Sequence, residues 1–430
     1  TAAGIQVPDP VLEFPECSVM LAKGNRTQFA SSGLLLNTIS ELRRAKETAA
    51  FFDELPPAQQ FEWADELLRR LEQRDQPGPF ICLLDTGANQ GHPLLAPFLE
   101  PADQFTLDED WTGADDDGHG TGMAGLAVWG DLTGPLQIGH AIRIDHRLES
   151  VKVLRKPGDN EGKHLGVVTA DGVSLPEIQH PLRTRVFTMA LSATDSRDRG
   201  RPSAWSGAID SLAADYLGEN AAPRLFTLCA GNASDNLTAL ADYPNHNLHQ
   251  DIHDPGQAWN ALTVGAYTEK TVITEPDGGN YRPLAPEGGL SPYSTTSVIW
   301  EKSAPIKPEV VFEGGNVGQD SYGCIGIPSL KLLTTHYRPT ERLFTTFEAT
   351  SAATALAGRF AAAIYAQYPG LWPETVRALV VHSAQWTDTM RQQFDQGGTE
   401  RQRAQHRVRC VGFGVPDLER ALWAPTTPWR

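Results

Sequence analysis

A chain of 430 residues, 40 % of them hydrophobic and 21 % charged, can bury a full core and is too ordinary in composition for a disordered or fibrous protein. The formal net charge of −17 argues against nucleic acid as a partner, because phosphate binding needs a basic stripe, and against docking on an anionic membrane surface. Five scattered cysteines (Cys17, Cys82, Cys229, Cys324, Cys410) with no C-x-x-C pair point to a reduced, cytoplasmic protein without a thiolate metal site. No apolar run reaches the ~18 residues of a membrane span, and no signal-peptide pattern opens the chain. Because residue 1 is threonine, a signal removed upstream stays open.

Residues 1 to 55 show weak periodicity. The stretch 58–74 predicts an amphipathic helix, with Phe61, Leu67, Leu68 and Leu71 at helical spacing, ended by Gln76-Pro77-Gly78-Pro79. Phe80-Ile81-Cys82-Leu83-Leu84 is a continuous apolar run, as expected of a strand buried on both faces of a parallel sheet. Similar runs follow at 186–191, 224–230 and 261–266, with a helical pattern from Ala204 to Leu217 between them. Such alternation implies βαβ units. Residues 155–178 and 268–345 read as surface insertions, the second holding the apolar run Val310-Val311-Phe312. Helices are expected at 351–366 and 373–383.

Four segments carry residues suited to chemistry. Asp85, in Leu84-Asp85-Thr86-Gly87, closes a buried strand, at the edge where ligands of open α/β sheets gather. His119 lies between glycines in Asp117-Gly118-His119-Gly120-Thr121-Gly122-Met123-Ala124-Gly125 and opens a small-residue helix. Asn232 follows Cys229-Ala230-Gly231, where its amide can meet a bound carbonyl. Ser351, in Ala349-Thr350-Ser351-Ala352-Ala353-Thr354-Ala355, opens a helix whose free N–H groups and dipole favour developing negative charge. Each has a plain alternative taken singly: a turn aspartate, a loop histidine, a turn asparagine, a helix cap. The run Asp115-Asp116-Asp117 reads as a solvated loop, since it lacks the glycine and distal glutamate of a calcium loop.

In the order acid, histidine, asparagine, serine, these motifs resemble the subtilase (subtilisin-like) family. Asp85-Thr86-Gly87 matches its D-T/S-G, His119 to Gly125 its H-G-T-H-V-A-G, Ala230-Gly231-Asn232 its A-G-N, and Ala349 to Ala355, loosely, its G-T-S-M-A-T-P. Lys307-Pro308-Glu309-Val310-Val311 and Gly412-Phe413-Gly414 resemble further family segments. The resemblance implies a three-layer α/β/α fold with a central, mostly parallel sheet, spanning residues 78–425 behind an N-terminal extension of 1–77. It implies a serine endopeptidase with Asp85, His119 and Ser351 as triad and Asn232 in the oxyanion hole. Substrate would lie beside Met189, Ala190, Leu191 and Ser192, with Cys229, Ala230 and Gly231 on the opposite wall of the primary pocket. The partner would be a peptide or protein substrate; restraint by a regulatory protein is a separate expectation, resting on an N-terminal segment short for a pro-domain and on the long insertions. No cofactor is expected; the family's structural calcium finds no clear ligand set. Three departures stand out: Gly122 replaces a non-catalytic histidine, Ala349 the glycine before Thr-Ser, and Ala355 a proline. The last two, at the nucleophile turn, leave open a catalytically silent binding or scaffold module, and the same triad would also serve a peptide ligase.

Overall fold

The computed structural model describes residues 47–73, 78–193, 199–214, 223–234, 236–395 and 397–423, and before them residues 5, 12–13, 18–19, 22, 26–30 and 39. Cys17, Gln76-Pro77 and the expected helical residues 215–217 lie outside the described residues. The chain forms two units, Thr1–Glu47 and Thr48–Arg430. In the first, Leu12–Glu13 pairs antiparallel with Ser18–Val19, and Arg26–Ala30 is helical. The other helices and strands among the described residues belong to the second unit, including the helix Pro57–Arg69 that the sequence assigned to an extension of 1–77.

The sheet is built from β1 (Phe80–Asp85), β2 (Gln104–Thr106), β3 (Arg147–Lys152), β4 (Arg185–Met189), β5 (Leu225–Cys229), β6 (Leu262–Thr268), β7 (Gly289–Leu290) and β8 (Val310–Glu313). The order is β7-β6-β5-β4-β1-β3-β2, with β8 also paired to β6. Only the β6–β7 pair is antiparallel. Every residue of β1 is buried, which explains its unbroken apolar run. Ile81 and Leu83 face one core with the helices His119–Trp129 and Ala349–Gln367. Cys82 and Leu84 face the other, with Leu165–Gln179 and Ala204–Ala214. Three layers, helix over sheet over helix, follow directly from that two-residue alternation.

The two expected insertions prove to be mixed. Within 155–178 only residues up to 164 form a surface loop; Leu165–Gln179 is a helix covering the sheet. Within 268–345, Val310–Glu313 enters the sheet as β8. The same stretch begins a hairpin in which β9 (Leu332–Thr335) pairs antiparallel with β10 (Phe344–Phe347). The helices Ala49–Asp53 and Pro57–Arg69 pack Ala49, Phe52, Ala64 and Leu67 into the first core. Gln60, buried between them, donates through Nε2 to the carbonyls of Phe52 and Leu55 (both 3.1 Å). Its Oε1 accepts from the N–H groups of Leu343 (2.8 Å) and Phe344 (3.1 Å). One side chain therefore ties the helix pair to the hairpin.

Candidate active site

Asp85 ends β1 at the carboxyl edge of the sheet, 2 % exposed. Its Oδ1 accepts from the Thr86 N–H at 2.8 Å and lies 2.7 Å from His119 Nδ1. His119 is the first residue of its helix. That helix start is held by Asp115, whose Oδ1 accepts from the N–H groups of Asp117 (3.0 Å) and Gly118 (2.9 Å) and from Thr86 Oγ1 (2.9 Å). Asp115 Oδ2 accepts from the Thr121 N–H at 2.7 Å. Thr86 Oγ1 in turn accepts from the Gly120 N–H at 2.9 Å. The strand turn and the helix approach so closely that a Cβ at residue 120 would lie 2.0 Å from the Gly87 carbonyl oxygen, which demands glycine.

Asp116 and Asp117 are exposed, as expected of a solvated loop, but Asp115 is not part of one. Asp115 is 6 % exposed and satisfies orphan N–H groups at a helix start. Beneath it the fully buried Lys152 donates to the carbonyls of Thr112 (3.2 Å) and Ala114 (2.6 Å) and to Asp116 Oδ2 (2.6 Å). A lone lysine in a strand pattern was the available signal, because a buried ammonium requires acceptors close by.

Ser351 lies in the first turn of the helix Ala349–Gln367, 8 % exposed, with Oγ 3.1 Å from His119 Nε2. Thus Asp85, His119 and Ser351, scattered in sequence, meet in one hydrogen-bonded line. Two residues earlier Ala349 adopts φ +69°, the left-handed region, with its N–H donating to the Gly314 carbonyl at 2.7 Å. A non-glycine residue there costs about 1–2 kcal/mol. The neighbouring Asn232 accepts through Oδ1 from the Thr350 N–H (3.2 Å) and Thr350 Oγ1 (2.9 Å). A backbone N–H can only donate, so the carboxamide oxygen must face Thr350. The Nδ2 of Asn232 is left to donate elsewhere.

Burial alone would pull the His119 pKa down. The Asp85 carboxylate, by its charge and its hydrogen bond, and then Asp115 and Asp117, outweigh burial and raise it above the ordinary histidine value.

Of the expected substrate-binding residues, Met189 and Ala230 are buried, Met189 in the core on the far side of the sheet. Ala190 and Cys229 are buried in the nearer core, and burial pushes the Cys229 thiol pKa up to about 11. Leu191 is half-buried and Ser192 exposed, so these two reach the surface. Ser192 Oγ lies 3.3 Å from Nδ1 of His253, a neighbour that the sequence reading missed. The pairing of β4 with β5 brings 190–192 and 230–232 to the same sheet edge. Among the described residues, no group of three or more His, Cys, Asp or Glu side chains is arranged to hold a metal ion. Nor is any helix among them long and apolar enough to cross a membrane.

Residues 76–414 match the family model described as Subtilase family. A curated relative, the uncharacterized protein y4bN of Sinorhizobium fredii, is 28 % identical over 256 residues, 55 % of this chain. The matched region spans 56 % of that relative's length. Among solved structures, MycP1 from Mycobacterium smegmatis superposes with a TM-score of 0.50 at 17 % identity, covering 91 % of this chain and 93 % of its own. A lanthipeptide protease also gives 0.50, at 16 % identity, covering 88 % and 99 %. At these identities the two structures speak to the fold alone.

Proposed function

This chain belongs to the subtilase family, and from that premise we propose that it is a serine endopeptidase that cleaves peptide bonds through an acyl-enzyme on Ser351. The observation that carries the proposal is the line Asp85–His119–Ser351, with spacings of 2.7 and 3.1 Å. Ser351 Oγ attacks the scissile carbonyl carbon while His119 Nε2 takes the hydroxyl proton. Asp85 holds the imidazole tautomer through Nδ1 and stabilises the imidazolium that forms. The oxyanion is met by Asn232 Nδ2 and the Ser351 N–H, which lies in the unpaired first turn of its helix. His119 then protonates the leaving amine. Water, deprotonated by the same imidazole, hydrolyses the ester and restores Ser351. For the equivalent asparagine of subtilisin itself, loss of the donor costs about 10²–10³ in turnover.

The substrate is an extended peptide running beside Leu191 and Ser192, with uncharged residues preferred in the primary pocket near Cys229 and Gly231. The proposal includes a reducing, cytoplasmic setting, supported by the free thiols of Cys82, Cys229, Cys324 and Cys410. It also includes restraint by a regulatory protein.

A fluorophosphonate probe tests the assignment. The full chain is expected to be labelled, and Ser351→Ala is expected to lose the label. Equal labelling of both would remove Ser351 as nucleophile. The left-handed Ala349 is the one feature favouring a silent scaffold, and a chain labelled by neither probe nor activated peptide ester would favour that reading.

A further inference from the structure

Where the family pattern has a histidine three residues after the catalytic one, this chain has Gly122. The space is not empty. A Cβ built at residue 122 would lie 2.8 and 2.9 Å from ring carbons of Phe347. The same ring leans on His119, centroid to centroid 5.3 Å, at 54° between planes. Phe347 ends β10, opposite Leu332, four residues before Ser351. Its hairpin is fastened along the histidine helix: Thr334 Oγ1 donates to the Gly122 carbonyl at 2.6 Å and Thr335 Oγ1 to the Thr121 carbonyl at 2.7 Å. At the tip, Asn89 Nδ2 donates to the Tyr337 carbonyl at 2.7 Å.

The imidazole is thus gripped from two sides. Asp85 fixes Nδ1 by a hydrogen bond, and a ring fixes the plane by contact. We propose that Phe347 is the positioning residue of His119, its ring occupying the volume that a side chain at residue 122 would otherwise fill. The inference rests on the peptidase reading of His119, and it makes residues 122 and 347 an exclusive pair. A large group at one requires a small group at the other. The hairpin, fastened at its turn and along the histidine helix, delivers the ring already placed, so little reorganisation is left for catalysis.

The test uses the full chain with three single variants, Phe347→Ala, Phe347→Tyr and Gly122→Ala, and the double variant Gly122→Ala/Phe347→Ala. Fluorophosphonate labelling rates and thermal midpoints are measured for each. Phe347→Ala is expected to label on the order of 10-fold to 100-fold more slowly, as for a catalytic group misplaced by about 1 Å. Phe347→Tyr, which keeps the ring, recovers most of that rate. Gly122→Ala lowers the thermal midpoint in the parent chain and leaves it unchanged in the Phe347→Ala background. Labelling of Phe347→Ala at the parent rate would overturn the inference, and so would an equal effect of Gly122→Ala in both backgrounds. If Phe347→Ala loses its native circular dichroism, Phe347→Leu makes the same comparison without the flat ring. A parent chain that never labels overturns the peptidase reading instead, and the 122–347 coupling in the midpoints then still decides whether the ring holds that volume.

Discussion

At the scale of single residues, the chemistry of this site is set by what surrounds each side chain. Asp85, His119, Asn232 and Ser351 are legible in the sequence because each sits in a short motif whose order is itself informative. Asp115 is not legible. It earns its place only when the fold brings Thr86 and the helix start to within hydrogen-bonding distance of one carboxylate. Phe347 is hidden for a similar reason, since nothing local marks a phenylalanine as the neighbour of a histidine more than 200 residues away. The electrostatics yield a prediction. On the proposed mechanism His119 must be neutral to accept a proton, so labelling rises with pH as it deprotonates. With its pKa raised by Asp85, the acid limb lies above the ordinary histidine value of about 6.5. In Asp85→Asn the raising charge is gone while burial remains, so the limb moves to lower pH and the plateau falls. Rates of fluorophosphonate labelling across the limb check this, and an unmoved limb would show that Asp85 does not set the histidine's basicity.

Among the elements, the buried strands and the two helices that carry His119 and Ser351 were expected close to where they lie. The sequence from 373 to 383 became the helix Pro373–Ser383, residue for residue. The helix Leu165–Gln179 escaped notice because it contains Pro176, Gly166 and Gly172. Those small residues exist for packing: a Cβ at residue 166 would meet the Cβ of Ala208 at 2.8 Å. Close helix–helix and helix–sheet contact thus reads, in one dimension, as a loop. The hairpin was hidden by its position in a Gly- and Ser-rich stretch, although it carries Phe347 and lies against the N-terminal helix pair. Its attachment through Gln60 is testable. Gln60→Leu keeps the volume but leaves the buried N–H groups of Leu343 and Phe344 without their acceptor, each worth about 1–3 kcal/mol. A loss of roughly 2–4 kcal/mol in urea unfolding is expected, together with slower labelling. An unchanged midpoint would show that the hairpin holds its place without Gln60.

For the molecule as a whole, stability is tied to acidity through two buried histidines that take no part in the chemistry. His92 donates through Nε2 to the Leu343 carbonyl at 2.9 Å and accepts at Nδ1 from the Leu94 N–H at 3.1 Å. His146 Nε2 lies 2.9 Å from the Ala127 carbonyl. Burial pushes both pKa values down to about 4. The unfolded chain therefore binds protons that the folded chain refuses. The stabilisation is complete above pH ~6.5 and is lost as pH falls toward 4. Between pH 7 and 5 the two together account for roughly 4 kcal/mol, so the urea midpoint should drop over that interval, and a flat profile would contradict the buried neutral state. The parallel sheet has one more consequence, which concerns time. β1 is flanked by strands that follow it in the chain, and Ser351 comes after every strand of the sheet. On a ribosome the aspartate and the histidine emerge early, and the nucleophile emerges only when the last strand is already made. On the proposed mechanism an unfinished chain, lacking Ser351, cannot cut itself.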